Sequence, residues 1–125
     1  MLTIRKEQVE ALSAAGVENF IDRAAEHVGK FFPEHVKALS GERLREDIRY
    51  GITRAASHGI VSERDVCKYI DLMILYGRDF DKDPNLPWAQ SVLRNQAIRN
   101  PSSKIERLFK AAKKRENQPQ ARKQS

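Results

Sequence analysis

Cysteine is almost absent from this sequence: Cys67 is the only one in 125 residues. A lone cysteine excludes an internal disulfide. It sits among Val66, Tyr69, Ile70, Met73 and Ile74 at helical spacing, where a small buried hydrophobe is the expected role and a reactive thiol is not. Aromatic residues are scarce at 7%, which fits thin helical layers better than a deep globule. Long apolar runs are missing as well. The longest, Leu72-Met73-Ile74-Leu75-Tyr76, holds five residues, against the roughly 18 that a spanning helix needs. The start, Met1-Leu2-Thr3-Ile4-Arg5-Lys6-Glu7, turns charged at once and offers no signal-type apolar region. The expectation is a soluble, reduced, cytoplasmic protein with no membrane role. Strand signals are lacking too, since no segment alternates apolar and polar residues with β-branched enrichment.

What is present is charge, unevenly placed. Residues 99–125 hold nine Lys/Arg against Glu106 and Glu116, a net of +7, whereas residues 1–98 carry a net of −1. The whole-chain excess of +6 therefore describes an appendage and not the body. With 40% apolar residues, one domain of this size can bury roughly two-thirds of its unfolded surface and fold without metals or disulfides.

Helical patterning runs through the body. Thr3 is a candidate cap for a first helix, with Ile4, Val9 and Leu12 loosely periodic and Gly16 interrupting or ending it. A second helix is expected over residues 17–32, its apolar stripe formed by Phe20, Ile21, Ala24, Ala25, Val28, Phe31 and Phe32. Pro33 breaks it or restarts a short turn through Leu39. Ser40 reads as an N-cap for a helix bearing Leu44, Ile48, Ile52, Ala55 and Ala56, closed by Gly59. Ser62 opens the next, with Asp65 placed to answer the cap. That helix, the most apolar, is expected to be central and antiparallel to its predecessor across a short link. Gly77 ends it, and residues 78–86 form a loop. Pro87 starts a further helix with Trp88, Val92 and Leu93. After Asn100-Pro101-Ser102-Ser103, a last helix offers Ile105, Leu108 and Phe109. Residues 1–116 are expected to form a single all-α domain of five to seven helices. Residues 117–125, rich in Gln, Lys, Arg, Pro and Ser, form a disordered tail.

Candidate chemistry is thin. Asp79-Phe80-Asp81-Lys82-Asp83 resembles half of a calcium loop, but its sixth position is Pro84 where Gly is needed, and its twelfth is Gln90 where Glu is needed. No metal or cofactor is expected there. Asp79, Asp81 and Asp83 remain as exposed carboxylates that a protein partner could meet, on a loop that Phe80 and Trp88 pin to the core. His27, His35 and His58 lack a second ligand at zinc-site spacing. No nucleophile elbow, phosphate-cradling Gly loop or paired-carboxylate motif is present, so no catalytic residue is named and no enzyme is expected. The basic residues Arg107, Lys110, Lys113, Lys114 and Arg115 fall along one helix and could meet phosphates. They also simply suit the helix dipole and solubility.

A resemblance adds to this reading. It is carried by Arg49-Tyr50-Gly51-Ile52, Ala55-Ala56-Ser57-His58-Gly59-Ile60 and the run from Ser62-Glu63-Arg64-Asp65 to Asp71-Leu72-Met73. Gly77-Arg78-Asp79-Phe80-Asp81, Asp83-Pro84 and Leu86-Pro87-Trp88-Ala89 complete it. Together they resemble a family of small helical bacterial proteins encoded beside type VI secretion spike, PAAR and toxin genes. The likeness covers roughly residues 2–110 and leaves the basic tail outside it. It implies an accessory role: a chaperone or adaptor that holds a secreted toxin or spike component for loading. An immunity protein is the nearest alternative, and a nucleic-acid-binding protein using the basic C-terminus is the rival class. The family pattern supplies no catalytic residues.

Overall fold

The structure, a computed structural model, describes residues 15–116. The helix expected from Thr3 and the tail expected over residues 117–125 both lie outside them. Among the described residues there are six helices and no strand, so the all-α architecture is what forms. The chain divides into two compact units, Met1–Arg78 and Asp79–Ser125.

In the first unit, α1 (Ala15–Phe31) buries Phe20, Ile21, Ala24 and Val28 on one stripe. Gly16, expected to interrupt or end a helix, instead lies in the first turn of α1, where a missing side chain costs little. Phe31 was expected on the buried stripe but is 59% exposed. A short α2 (Pro33–Lys37) follows, started by Pro33 and burying nothing.

Helix α3 (Gly41–Ser57) begins where the Ser40 hydroxyl accepts a hydrogen bond from the Arg43 amide, 3.1 Å away. Gly59, at φ +80°, lets the Ile60 amide return to the Ala55 carbonyl at 2.9 Å and close the helix. Helix α4 (Glu63–Tyr76) is capped in the same way, Ser62 accepting from the Asp65 amide at 3.3 Å. It ends at Gly77, φ +115°. Helix α4 buries Val66, Tyr69, Ile70, Leu72 and Met73 and packs on both α3 and α1, as a central helix should. Leu75, part of its longest apolar run, is nevertheless 51% exposed.

Helices α3 and α4 are antiparallel. Asp47 meets Arg78 at 3.2 Å, Gly51 faces Ile70 and Met73, and the His58 ring lies 6.1 Å from that of Tyr69. Gly51 is buried within this packing. A Cβ there would stand 2.8 Å from Met73 Sδ and 2.9 Å from Ile70 Cγ1, so only a glycine admits the neighbour this near.

In the second unit, α5 (Pro87–Leu93) packs on α6 (Pro101–Glu116). Ala89, Leu93, Ile98, Ile105, Leu108 and Ala112 are buried. Side chains punctuate the backbone: Asp83, Asn95 and Asn100 each accept a hydrogen bond from the amide two residues on, at 2.9, 2.9 and 2.8 Å. Phe80 is buried as expected, while Trp88 is only half-buried.

Two glycines in helix interiors should respond to alanine with opposite signs. Gly29 has nothing within 4 Å of an added Cβ, so Gly29→Ala is expected to stabilise by about 0.5–1 kcal/mol through helix propensity. At Gly51 the same gain is outweighed by an overpacking cost of about 1–3 kcal/mol, and Gly51→Ala is expected to destabilise. Urea unfolding of the two variants measures both. A stabilised Gly51→Ala would remove the close contact from the packing.

Candidate functional site

The most chemically mixed seam of the first unit joins α1 to α4. Helical spacing sets Arg23 and His27 one turn apart on α1, and Glu63, Cys67 and Asp71 at successive turns on α4. Arg23 bonds Glu63 at 3.0 Å, and His27 Nε2 lies 2.9 Å from Asp71 Oδ1. Burial raises the Asp71 carboxyl above its usual value, against the opposing charge and hydrogen bond of His27. Burial also pushes the Cys67 thiol up, and the charge of Asp71 adds to that shift while Arg23 opposes it. The environment thus favours the thiol over the thiolate, opposite to what a cysteine nucleophile requires. Cys67 is half-buried, where the helical pattern placed a fully buried side chain.

A second seam ties α1 to α3. Arg45 bonds Asp22 at 2.8 Å and Glu18 at 3.0 Å, and Arg49 bonds the other Glu18 oxygen at 3.1 Å. The Arg49 and Arg45 hydrogen bonds hold the Glu18 carboxyl below its ordinary range. Asp47 is shared by Arg43 and Arg78, at 3.3 and 3.2 Å, and the Arg78 guanidinium lies 4.1 Å from the Tyr50 ring centre. Most cations on this unit therefore already have an acidic or aromatic neighbour.

Beside these seams the unit carries an apolar groove of about 220 Å³. Its walls come from Val17 and Phe20 of α1, Ile52 and Ala56 of α3, and Ile60 and Val66 at and after the α3–α4 link. Glu63 is the one charged residue among its lining. The sequence pattern placed Ile52 and Ala56 on the buried face of α3. In the structure Ile52 is half-buried and Ala56 exposed, and Gly51 takes the inward position instead.

The acidic loop is not an exposed trio. Asp79 is exposed, Asp83 is half-buried, and Asp81 is 5% exposed. The Asp83 carboxylate accepts from the Asn85 amide and its carbonyl accepts from Gln90 Nε2, both at 2.9 Å. The expectation that all three carboxylates face a partner is corrected for Asp81, because Phe80 and Asp81 turn inward together. No group of three or more His, Cys, Asp or Glu that could hold a metal occurs among the described residues. Arg107, Lys110, Lys113, Lys114 and Arg115 are all exposed on α6. The first two also line a polar cleft that sequence reading did not reveal.

No described helix is long and apolar enough to cross a membrane. No family model, no curated protein and no solved structure matches this chain.

The Asp71 site predicts a pH dependence. A carboxyl whose pKa is raised in the folded state contributes stability below that pKa and loses the contribution as pH rises through it. Asp71→Asn retains a hydrogen-bonding group for His27 and removes the buried charge. It is expected to leave neutral-pH stability equal or higher, and to flatten the decline as pH climbs above the ordinary aspartate value of 3.8. Urea midpoints at stepped pH test this. A loss above about 2 kcal/mol at neutral pH would mean that the ion pair outweighs desolvation.

Proposed function

We propose that this chain is a non-enzymatic accessory protein, an adaptor or chaperone for a secreted toxin or spike component of a type VI secretion system. In this reading the groove of the first unit holds an amphipathic helix of that partner. The observation that carries it is the groove itself, lined almost wholly by apolar side chains on a unit whose surface charges are largely paired. Ion pairs such as Arg45–Glu18 and Arg23–Glu63 are satisfied within the unit and offer an incoming protein little net charge. The groove offers apolar area that gains when water leaves it.

A helix laid along such a groove presents side chains at i, i+4 and i+7 to the pockets between the host helices. Glu63, at the lining, is already paired with Arg23 at 3.0 Å, so the groove selects by apolar shape and not by charge. The resemblance to small helical proteins encoded beside spike, PAAR and toxin genes supplies the setting and the class of partner. Holding an apolar helix of a toxin before export is work that needs no reactive group. It needs a groove that is preformed and rigid, which the close α3–α4 packing supports.

The test is co-expression with the toxin or spike protein encoded beside the gene, followed by titration calorimetry of the purified pair. Ala56 is exposed, so Ala56→Arg can lay a long charged side chain over the groove while changing stability by no more than about 0.5 kcal/mol. The variant is expected to lose at least about tenfold in affinity. Absence of a complex with the unaltered protein, or equal affinity for Ala56→Arg, would sink the reading. Protection of cells from the toxin without a loading defect would point to immunity in its place.

A further inference from the structure

The second unit holds a site of different chemistry. Its loop between α5 and α6 and the first three turns of α6 enclose a cleft of about 490 Å³, lined by Arg99, Asn100, Ser103, Glu106, Arg107 and Lys110 among others. Three cations face one carboxylate there. On α6, Ser103, Arg107, Lys110 and Lys114 recur at i, i+4, i+7 and i+11, on the side opposite the buried Ile105, Leu108 and Ala112. Arg107 and Lys110 thus stand about one turn apart along the helix axis.

What separates these cations from most arginines of the first unit is their pairing. Arg23, Arg43, Arg45, Arg49 and Arg78 each meet a carboxylate within 4.0 Å. Arg99, Arg107 and Lys110 meet none among the described residues, and neither do Lys113, Lys114 and Arg115. The start of α6 adds little, because Asn100 already accepts from the Ser102 amide. The anion-attracting groups are the side chains themselves.

We infer that this cleft binds the sugar–phosphate backbone of a nucleic-acid duplex. Guanidinium forks and an ammonium suit phosphate oxygens, and the Ser103 hydroxyl and Asn100 amide can add neutral hydrogen bonds of the kind that fix a backbone in register. No aromatic side chain lines the cleft, so the stacking platform that single-stranded nucleic acid exploits is missing. Recognition rests on phosphates and carries no base preference. A lipid surface fits less well: among the described residues the exposed large apolar side chains, Phe31 and Leu75, both belong to the first unit, and a basic face without apolar anchors holds a membrane poorly.

Fluorescence anisotropy of the full chain with a short random-sequence DNA duplex, over a series of salt concentrations, tests the inference. Two charge-matched triple variants are compared: Arg99→Gln/Arg107→Gln/Lys110→Gln in the cleft and Lys113→Gln/Lys114→Gln/Arg115→Gln beyond it. All six positions are exposed, so both variants are expected to fold, and circular dichroism checks that they do. The cleft variant is expected to lose at least about tenfold more affinity than the other, and to reduce the log–log salt slope by about three. Equal losses in the two variants, no binding by the unaltered chain, or displacement of the duplex by polyglutamate as readily as by unlabelled duplex would each overturn it.

Discussion

The close approach of α3 and α4 at Gly51 fixes the arrangement of the first unit. With no Cβ between them, Met73 and Ile70 of α4 reach the α3 backbone, and protein interiors reward such contact because they pack like organic solids. That contact sets an antiparallel register which brings Asp47 to Arg78 at one end and His58 to Tyr69 at the other. The apolar groove borders the same packing. Ile52 and Ala56 fall just past Gly51 on α3 and line it with Val66 of α4. Structure and proposed function thus share one steric cause.

Electrostatics plays a different part in each unit. On the first, exposed ion pairs close the surface charge, and each contributes little to stability, about 0–1 kcal/mol. In the proposed reading their consequence is specificity: a partner would meet paired charges and an apolar groove. On the second, the cations of α6 are held apart on the solvent side of a helix whose other side is buried. Arg107, Lys110, Lys113, Lys114 and Arg115 meet no carboxylate within 4.0 Å among the described residues, which leaves them available to an anion. The two surfaces differ in chemistry, one apolar and one cationic, and neither depends on the other.

Much of the backbone was legible in advance because its determinants are local. Ser40 and Ser62 cap helices since a hydroxyl next to orphan amides needs no distant partner. Gly59 and Gly77 end helices at positive φ, and Pro33 and Pro87 start them, for equally local reasons. The misses share an opposite cause. Phe31 obeys helical periodicity, yet whether an apolar face is covered depends on where the neighbouring helices end. Asp81 looks like its exposed neighbours in an acidic run, but the path of the turn carries it inward with Phe80. His27 and Asp71 lie 44 residues apart, too far for any spacing rule to connect them.

The sequence by itself determined that the described chain would be helical, roughly where helices begin and end, and that positive charge would gather towards the C-terminus. Those properties follow from interactions within a turn or two of each residue and from simple composition. Only the tertiary structure decided that Gly51 is a contact point and no mere weak spot in a helix, and that Ile52 and Ala56 edge a groove where the pattern placed a sealed core. It alone decided that Arg99 joins Arg107 and Lys110 around one cleft. Such facts depend on which surfaces meet across long stretches of chain, and periodicity fixes the direction of a side chain without fixing what stands opposite it.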